Sequence, residues 1–471
     1  MRVKLIKLKI CLVLFLIFTI PNLRAQEQTQ KASKDKTHTE FSCGHVHNKS
    51  LSANAKLDAT TSKVLNSSNI GKQPVLGDLD FLIIRTNFVG GTVEDEFKKE
   101  DADIFMAALD SYIKRLSYNK TSVKSYEVTD VFQSKLTSAD IKGDLNKVTD
   151  EMKKLAREAG HRVNNRLVYL VMDGPNLELG PGGAFGIGNG IDGTSWWPSN
   201  LNVETHGAGW SHETFHMFGI GHLGLIETTD KTSYPGSRNT RGVDPYHFMG
   251  TEGGLTRWDA SKPREALTGQ LPIPNKVRLG WLSEDNLVVT PGTSNQKIRF
   301  NITDGTDSNL GNKKIGVIVN GHDKTFSLGY YKNLEKSSDR LDQRGGILVH
   351  EWDQGFFART FLLDAHPNSV DGSPDPRRQT DAWKSVFEFT DAAIRVGETM
   401  NVGDLFKIKV ESEGGSGNDR WVEVSIITDA GPDTNAIGVD LNATEYNYDL
   451  GTPASPVQSG WQRISEKTNG D

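Results

Sequence analysis

One eleven-residue stretch constrains the fold of this chain more than any other: His212-Glu213-Thr214-Phe215-His216-Met217-Phe218-Gly219-Ile220-Gly221-His222. Residues four apart share one face of a helix, so a helical stretch lets His212 and His216 present two imidazoles to the same point. Phe215 and Phe218 then face the body of the protein. Gly219 accepts a positive φ without steric cost, so the chain can turn sharply there and bring His222 back beside the other two. Three neutral ring nitrogens with one position left open are the donor set of a catalytic zinc site. Glu213, next to the first ligand, is the candidate general base: it can take a proton from an attacking water and pass it to a leaving amine. The competing reading, a helix with incidental surface histidines, has to explain three histidines in fixed register.

Downstream lies Asp244-Pro245-Tyr246-His247-Phe248-Met249-Gly250. A Met in a tight turn behind such a helix would form a hydrophobic floor beneath the ligands, and Met249 is assigned that place. His206 and His247 read as neighbours of the site, since the ligand set is complete without them.

Cysteine usage supports an all-histidine centre. The chain of 471 residues holds two cysteines, Cys11 and Cys43, which excludes a disulfide scaffold and a zinc site built from several thiolates. The net charge is −6, which disfavours nucleic acid as a partner. Residues 1–25 read as a secretory signal peptide: Arg2, Lys4, Lys7 and Lys9 precede an apolar run from Ile10 to Ile20, and Leu23-Arg24-Ala25 offers a small residue at the exit. That run is too short for a permanent membrane span. The segment carries five basic and no acidic residues, so its removal takes the net charge from −6 to −11. A secreted, extracellular chain is expected, by bacterial export.

Residues 26–74 are polar and poor in large apolar groups, and read as a pro-segment or linker. Residues 75–290 read as the catalytic domain. It has buried strands at Leu79–Ile84 and Leu167–Met172, and helical spacing near 100–116 and 141–159, an α/β layer with a partly parallel sheet. The Gly-rich stretch 178–197 lacks the closing Lys-Ser/Thr of a phosphate loop, and reads as a loop beside a cleft. Over 291–430 short alternating segments such as Ile298–Ile302, Phe406–Val410 and Trp421–Ile426 indicate a β-sandwich. Asp304-Gly305-Thr306-Asp307-Ser308-Asn309 offers carboxylates to Ca2+ without the full ligand pattern of a calcium loop, and a solvated turn is the stronger reading. Residues 431–471 read as a tail or the start of a truncated β-module.

The zinc motif with its Met-turn resembles the metzincin metallopeptidases, and most of all the gametolysin and immune inhibitor A type. Leu116-Ser117-Tyr118-Asn119-Lys120 is similar to that family's S-Y-G-K stretch, with Asn119 in place of Gly. Asp244 to Gly250 is similar to its D-x-Y-D-x-M pattern, with His247 at the second Asp. Lys276-Val277-Arg278-Leu279-Gly280-Trp281-Leu282 is similar to its K-x-x-L-G-W-L, and Gly346–His350 and Leu362–Pro367 to the β-domain that follows. The resemblance covers about residues 75–430 and implies an α+β metzincin-like catalytic domain, a twisted mixed sheet with packed helices and a zinc cleft, followed by a β-sandwich. It implies Zn2+ on His212, His216 and His222. Some metzincins place a Tyr two residues after the Met as an extra donor; here that residue is Thr251, and Tyr246 is the substitute candidate for a transition-state donor. Cys43, in Cys43-Gly44-His45-Val46-His47, resembles the inhibitory thiol of some metzincin prosegments, a cysteine switch of a zymogen; a free thiol in a linker is the alternative. Tyr446 to Trp461 is similar to the first strand of carbohydrate-associated β-modules, which implies carbohydrate contact through the C-terminal region.

The leading expectation is a secreted zinc-dependent endopeptidase acting on extracellular proteins or glycoproteins. The alternative is a catalytically silent cell-surface or glycan-binding protein with a vestigial zinc site; the intact ligands and Glu213 weigh against it.

Overall fold

In the computed structural model the apolar run at residues 79–84 is the centre of strand β1 (Gly77–Asn87), with Phe81, Leu82, Ile83 and Ile84 fully buried. Helix α1 (Lys99–Leu116) follows. The Asp101 carboxylate accepts the Lys98 N–H at 2.7 Å and closes its first turn. Glu100 and Asp101 at the start and Lys114 and Arg115 at the end complement the helix dipole. Next come β2 (Thr121–Gln133) and α2 (Leu145–Glu158). The Asp144 carboxylate caps α2, accepting the N–H groups of Asn146 and Lys147 at 3.1 Å each. Then follow β3 (Leu167–Met172), β4 (Phe185–Gly188), β5 (Gly193–Pro198) and α3 (Val203–Met217), which carries His212 and His216.

These strands form a five-stranded sheet of order β2-β1-β3-β5-β4, parallel except for β4 at the edge. Side chains alternate across a strand, so each inner strand feeds two cores. Phe81, Ile83, Leu167, Tyr169 and Val171 point to the side of α1 and α3. Leu82, Ile84, Val168, Leu170 and Met172 point to the side of α2. That is why β3 is buried at all six positions and reads as a continuous apolar run.

The chain then adds β6 (Gly224–Glu227), β7 (Ser237–Asn239), α4 (Ile273–Arg278), β8 (Leu287–Pro291), β9 (Gln296–Asn301), β10 (Gly316–Asn320), β11 (Thr325–Tyr331), β12 (Gly346–Trp352) and β13 (Thr360–Leu362). Last come β14 (Thr399–Val402), β15 (Phe406–Gly414), β16 (Trp421–Ile427), β17 (Tyr448–Asp449) and β18 (Gln462–Arg463). A seven-stranded sheet runs β7-β6-β13-β12-β11-β10-β8, and a four-stranded one β14-β15-β16-β9. One core unites them: Val317, Val319, Phe326, Leu328, Ile347 and Val349 meet Phe300, Met400, Phe406, Ile408, Val424 and Ile426. Burial alternates along β16, as expected when one face of a strand meets a core. The seven-stranded sheet draws strands from both sides of residue 290, because the parallel pair β13·β6 joins Phe361 and Leu362 to Gly224 and Leu225.

The protein is mixed α+β, with several sheets and few helices. No described helix is long and apolar enough to cross a membrane. The structure describes most of residues 74–428, together with 448–449 and 462–463; within 74–428 the description omits 89–92, 94–96, 138–139, 141–143, 174–184, 189–192, 200–202, 229–231, 240–243, 251–268, 304–309, 322–323, 332–344, 353–358, 368 and 370–387. The expected signal peptide, Cys43, Thr251, the 304–309 turn and nearly all of 431–471 therefore lie outside the described residues.

Candidate metal centre

Helix α3 has two functional sides. On one, the His212 and His216 rings stand 4.7 Å apart between centroids and nearly perpendicular. On the other, Trp210, Phe215 and Phe218 sink into the core shared with α1 and the first sheet. Trp210 stacks on Trp197 at 4.5 Å and on Phe97 at 5.1 Å. Phe215 meets Tyr112 and Phe248 edge-on. The Thr214 hydroxyl donates to the Trp210 carbonyl at 2.8 Å and pairs with the Tyr169 hydroxyl. These contacts fix the rotation of the helix, and with it the direction of both imidazoles.

The helix ends as its sequence requires. Gly219 has φ 81, in the left-handed region. Its N–H bonds the His216 carbonyl, and the Ile220 N–H reaches back to the Phe215 carbonyl, each at 2.9 Å. These are the two bonds of a Schellman close. The reversal brings His222 back, with its Nε2 3.0 Å from His212 Nε2 and 3.1 Å from His216 Nε2.

The outer nitrogens settle the tautomers of the first two rings. His216 Nδ1 lies 2.7 Å from the Ile220 carbonyl and His212 Nδ1 3.3 Å from the Phe248 carbonyl. A carbonyl only accepts, so each Nδ1 carries the proton and each Nε2 offers a lone pair. Burial holds His212 well below the usual imidazole value, and His216 adds to the effect. The three Nε2 atoms thus converge on one point and could hold a metal ion. Glu213, fully buried, stands beside His212 on the same helix.

The turn at 244–250 borders this centre with its backbone. The Phe248 carbonyl takes His212 Nδ1–H, and the Met249 carbonyl accepts the Leu223 N–H at 3.1 Å, next to His222. Met249 is fully buried in the core that holds Phe215. A Cβ on Gly250 would lie 2.0 Å from the Asp244 carbonyl oxygen, so the turn closes with room for glycine alone.

Tyr246 is placed elsewhere. Its hydroxyl donates to the Thr390 carbonyl, and its ring packs on Tyr331 at 4.8 Å, in a core with Leu225, Leu348 and Leu362. It packs between the turn and the second sheet system. His206 stands on α3 outside the three that converge.

The stretches 116–121 and 276–281 are in contact. Lys276 Nζ donates to the Tyr118 hydroxyl at 2.9 Å, and Trp281 Nε1–H reaches Thr121 Oγ1 at 2.9 Å. Asn119 has φ 62, a conformation that Asn tolerates better than most side chains.

Two further clusters carry chemistry that the sequence reading assigned to no one. Asp244 Oδ2 receives His247 Nδ1 at 2.8 Å and His350 Nε2 at 3.1 Å, with all three residues buried. Burial alone would raise this carboxyl; the charge and hydrogen bond of His247, with the hydrogen bond of His350, outweigh it and hold the group below the usual carboxylate range. Asp364, His366 and Asp391 form the second cluster. The signal for both was the recurrence of His and Asp at buried strand ends, in Gly346–His350 and Leu362–Pro367.

No protein-family model matches this chain, and no curated protein matches it either.

Proposed function

We propose that the chain is a secreted zinc endopeptidase of the metzincin type. His212, His216 and His222 hold the ion and Glu213 is the general base. The observation that carries the reading is the convergence of three imidazole Nε2 atoms beside a buried carboxylate. An all-imidazole donor set suits zinc. Bonds of about 2.0–2.1 Å to a tetrahedral ion separate its ligand nitrogens by roughly 3.3 Å, close to the 3.0 and 3.1 Å found between these rings.

Zinc, when bound, polarises a peptide carbonyl and acidifies water. Glu213 takes the proton that water loses as its oxygen bonds the carbonyl carbon. It returns that proton to the amide nitrogen as the C–N bond breaks, so a carboxylic acid and an amine leave. The Phe248 and Ile220 carbonyls hold the His212 and His216 rings in the tautomer that leaves Nε2 free to ligate. In this reading the five-stranded sheet with α1 to α3 is the metzincin-like unit. The seven- and four-stranded sheets, united by one core, form the β-sandwich behind it. The substrate class is extracellular protein or glycoprotein, reached through the export signal read in residues 1–25.

Casein hydrolysis tests the reading. A chelator should abolish it and zinc restore it. Glu213→Gln should keep its zinc and lose about 10²–10⁴-fold in rate. Wild-type and Glu213→Gln proteins of equal activity would reject the enzyme. Zinc-loaded wild type that cleaves nothing would favour the silent binding protein.

A further inference from the structure

The chain leaving β13 passes a second, chemically different cluster. Leu363 N–H still bonds the Val349 carbonyl, and Ala365 N–H bonds the Ala392 carbonyl, so residues 363–365 lie against a 3-10 turn at Phe389–Asp391. Asp364 is 3 % exposed. Its Oδ1 accepts the His366 N–H at 2.8 Å. Its other oxygen, Oδ2, is buried, and among the described residues no group donates to it; the same holds for Asp391 Oδ1. A carboxylate oxygen of each Asp and a ring nitrogen of His366 lie within 4.8 Å of one another.

Like charges so close and so dry repel, and each orphaned oxygen forfeits its hydration. His366 Nδ1 donates to the Asp391 backbone carbonyl at 2.6 Å, and its Nε2 is 3.5 Å from Glu398 Oε2. Burial raises the Asp364 carboxyl to about 7, and the charges of Asp391 and Glu388 push it the same way. Hard anionic oxygens without donors are what a hard divalent cation takes as ligands.

We propose that Asp364 and Asp391 bind a calcium ion, which ties the exit of β13 to the Phe389–Asp391 turn. The site is separate from the three-histidine centre and stands whether or not that centre is catalytic.

The test uses the full-length, zinc-loaded protein at neutral pH in calcium-free buffer. Calcium should raise the unfolding midpoint by about 2–6 °C and slow amide exchange at residues 363–366 and 389–392. Asp364→Asn and Asp391→Asn should each abolish both effects. Each variant should unfold at or above the midpoint of calcium-free wild type, because it removes one of two adjacent charges. No calcium-dependent rise in wild type would overturn the proposal, as would the same rise in both variants or unchanged exchange in the two segments. A rise with manganese but none with calcium would overturn calcium as the ligand.

Discussion

His350 and Asp244 are 106 residues apart in the chain, yet His350 Nε2 lies 3.1 Å from Asp244 Oδ2. The same oxygen takes His247 Nδ1 at 2.8 Å. The turn bordering the three-histidine centre is thereby fastened to β12, in the interior of the seven-stranded sheet. Asp244→Ala should cost about 3 kcal/mol, because two buried rings lose their shared acceptor. Urea unfolding measures this, and zinc content should fall in the same variant as the Phe248 carbonyl shifts.

The Asp244 carboxyl also sets a pH dependence. Its folded value lies below the unfolded one. Its contribution is therefore fully present above the unfolded value, about 4, and is lost as pH falls through the folded value. Wild-type stability should decline on acidification below about pH 4, and Asp244→Asn should show a shallower decline. Parallel curves for the two proteins would count against this linkage.

Gly219→Ala places a Cβ at φ 81. A cost of about 1–2 kcal/mol follows from the left-handed backbone. Relaxing that strain would swing His222 away from the other two rings. Zinc affinity, measured by competition with a chromophoric chelator, should weaken more than overall stability does. A fully folded variant with unchanged affinity would show that the turn is not what positions His222.

Asn119, at φ 62, invites a graded test. Asn119→Gly should leave stability unchanged or raise it slightly, whereas Asn119→Val should lower it by about 1–2 kcal/mol. Denaturant midpoints of the two variants should move in those different directions.

Trp210 faces away from the three converging histidines and stacks on Trp197 and Phe97. Trp210→Ala should destabilise the protein by about 3–5 kcal/mol. Trp210→Phe should retain most of the stability and the metal, as read by calorimetry and zinc content.

The histidine helix, its glycine turn, β1, β3 and the helices α1 and α2 were legible because each is encoded within a dozen or so neighbouring residues. Apolar period, cap and glycine all point the same way there. Strand β2 was not legible: it is a sheet edge whose burial is mostly partial, so its sequence shows no clear alternation. Strand β13 is three residues long and β6 four, too short to carry a pattern. Partnerships across the chain left no local trace. The Tyr246 hydroxyl meets a carbonyl 144 residues away, and no spacing rule in the sequence points to that partner.

The strand pair β6·β13 bears on how such a protein can change over evolutionary time. Exchanging everything after residue 290 for a foreign module would strip β6 of one of its two neighbours, a few residues from His222, and leave it only β7. The edge of β6 that β13 covered would then be open to a strand of another molecule. Selection can tune the two halves separately, residue by residue, but recombination has to inherit them as one piece.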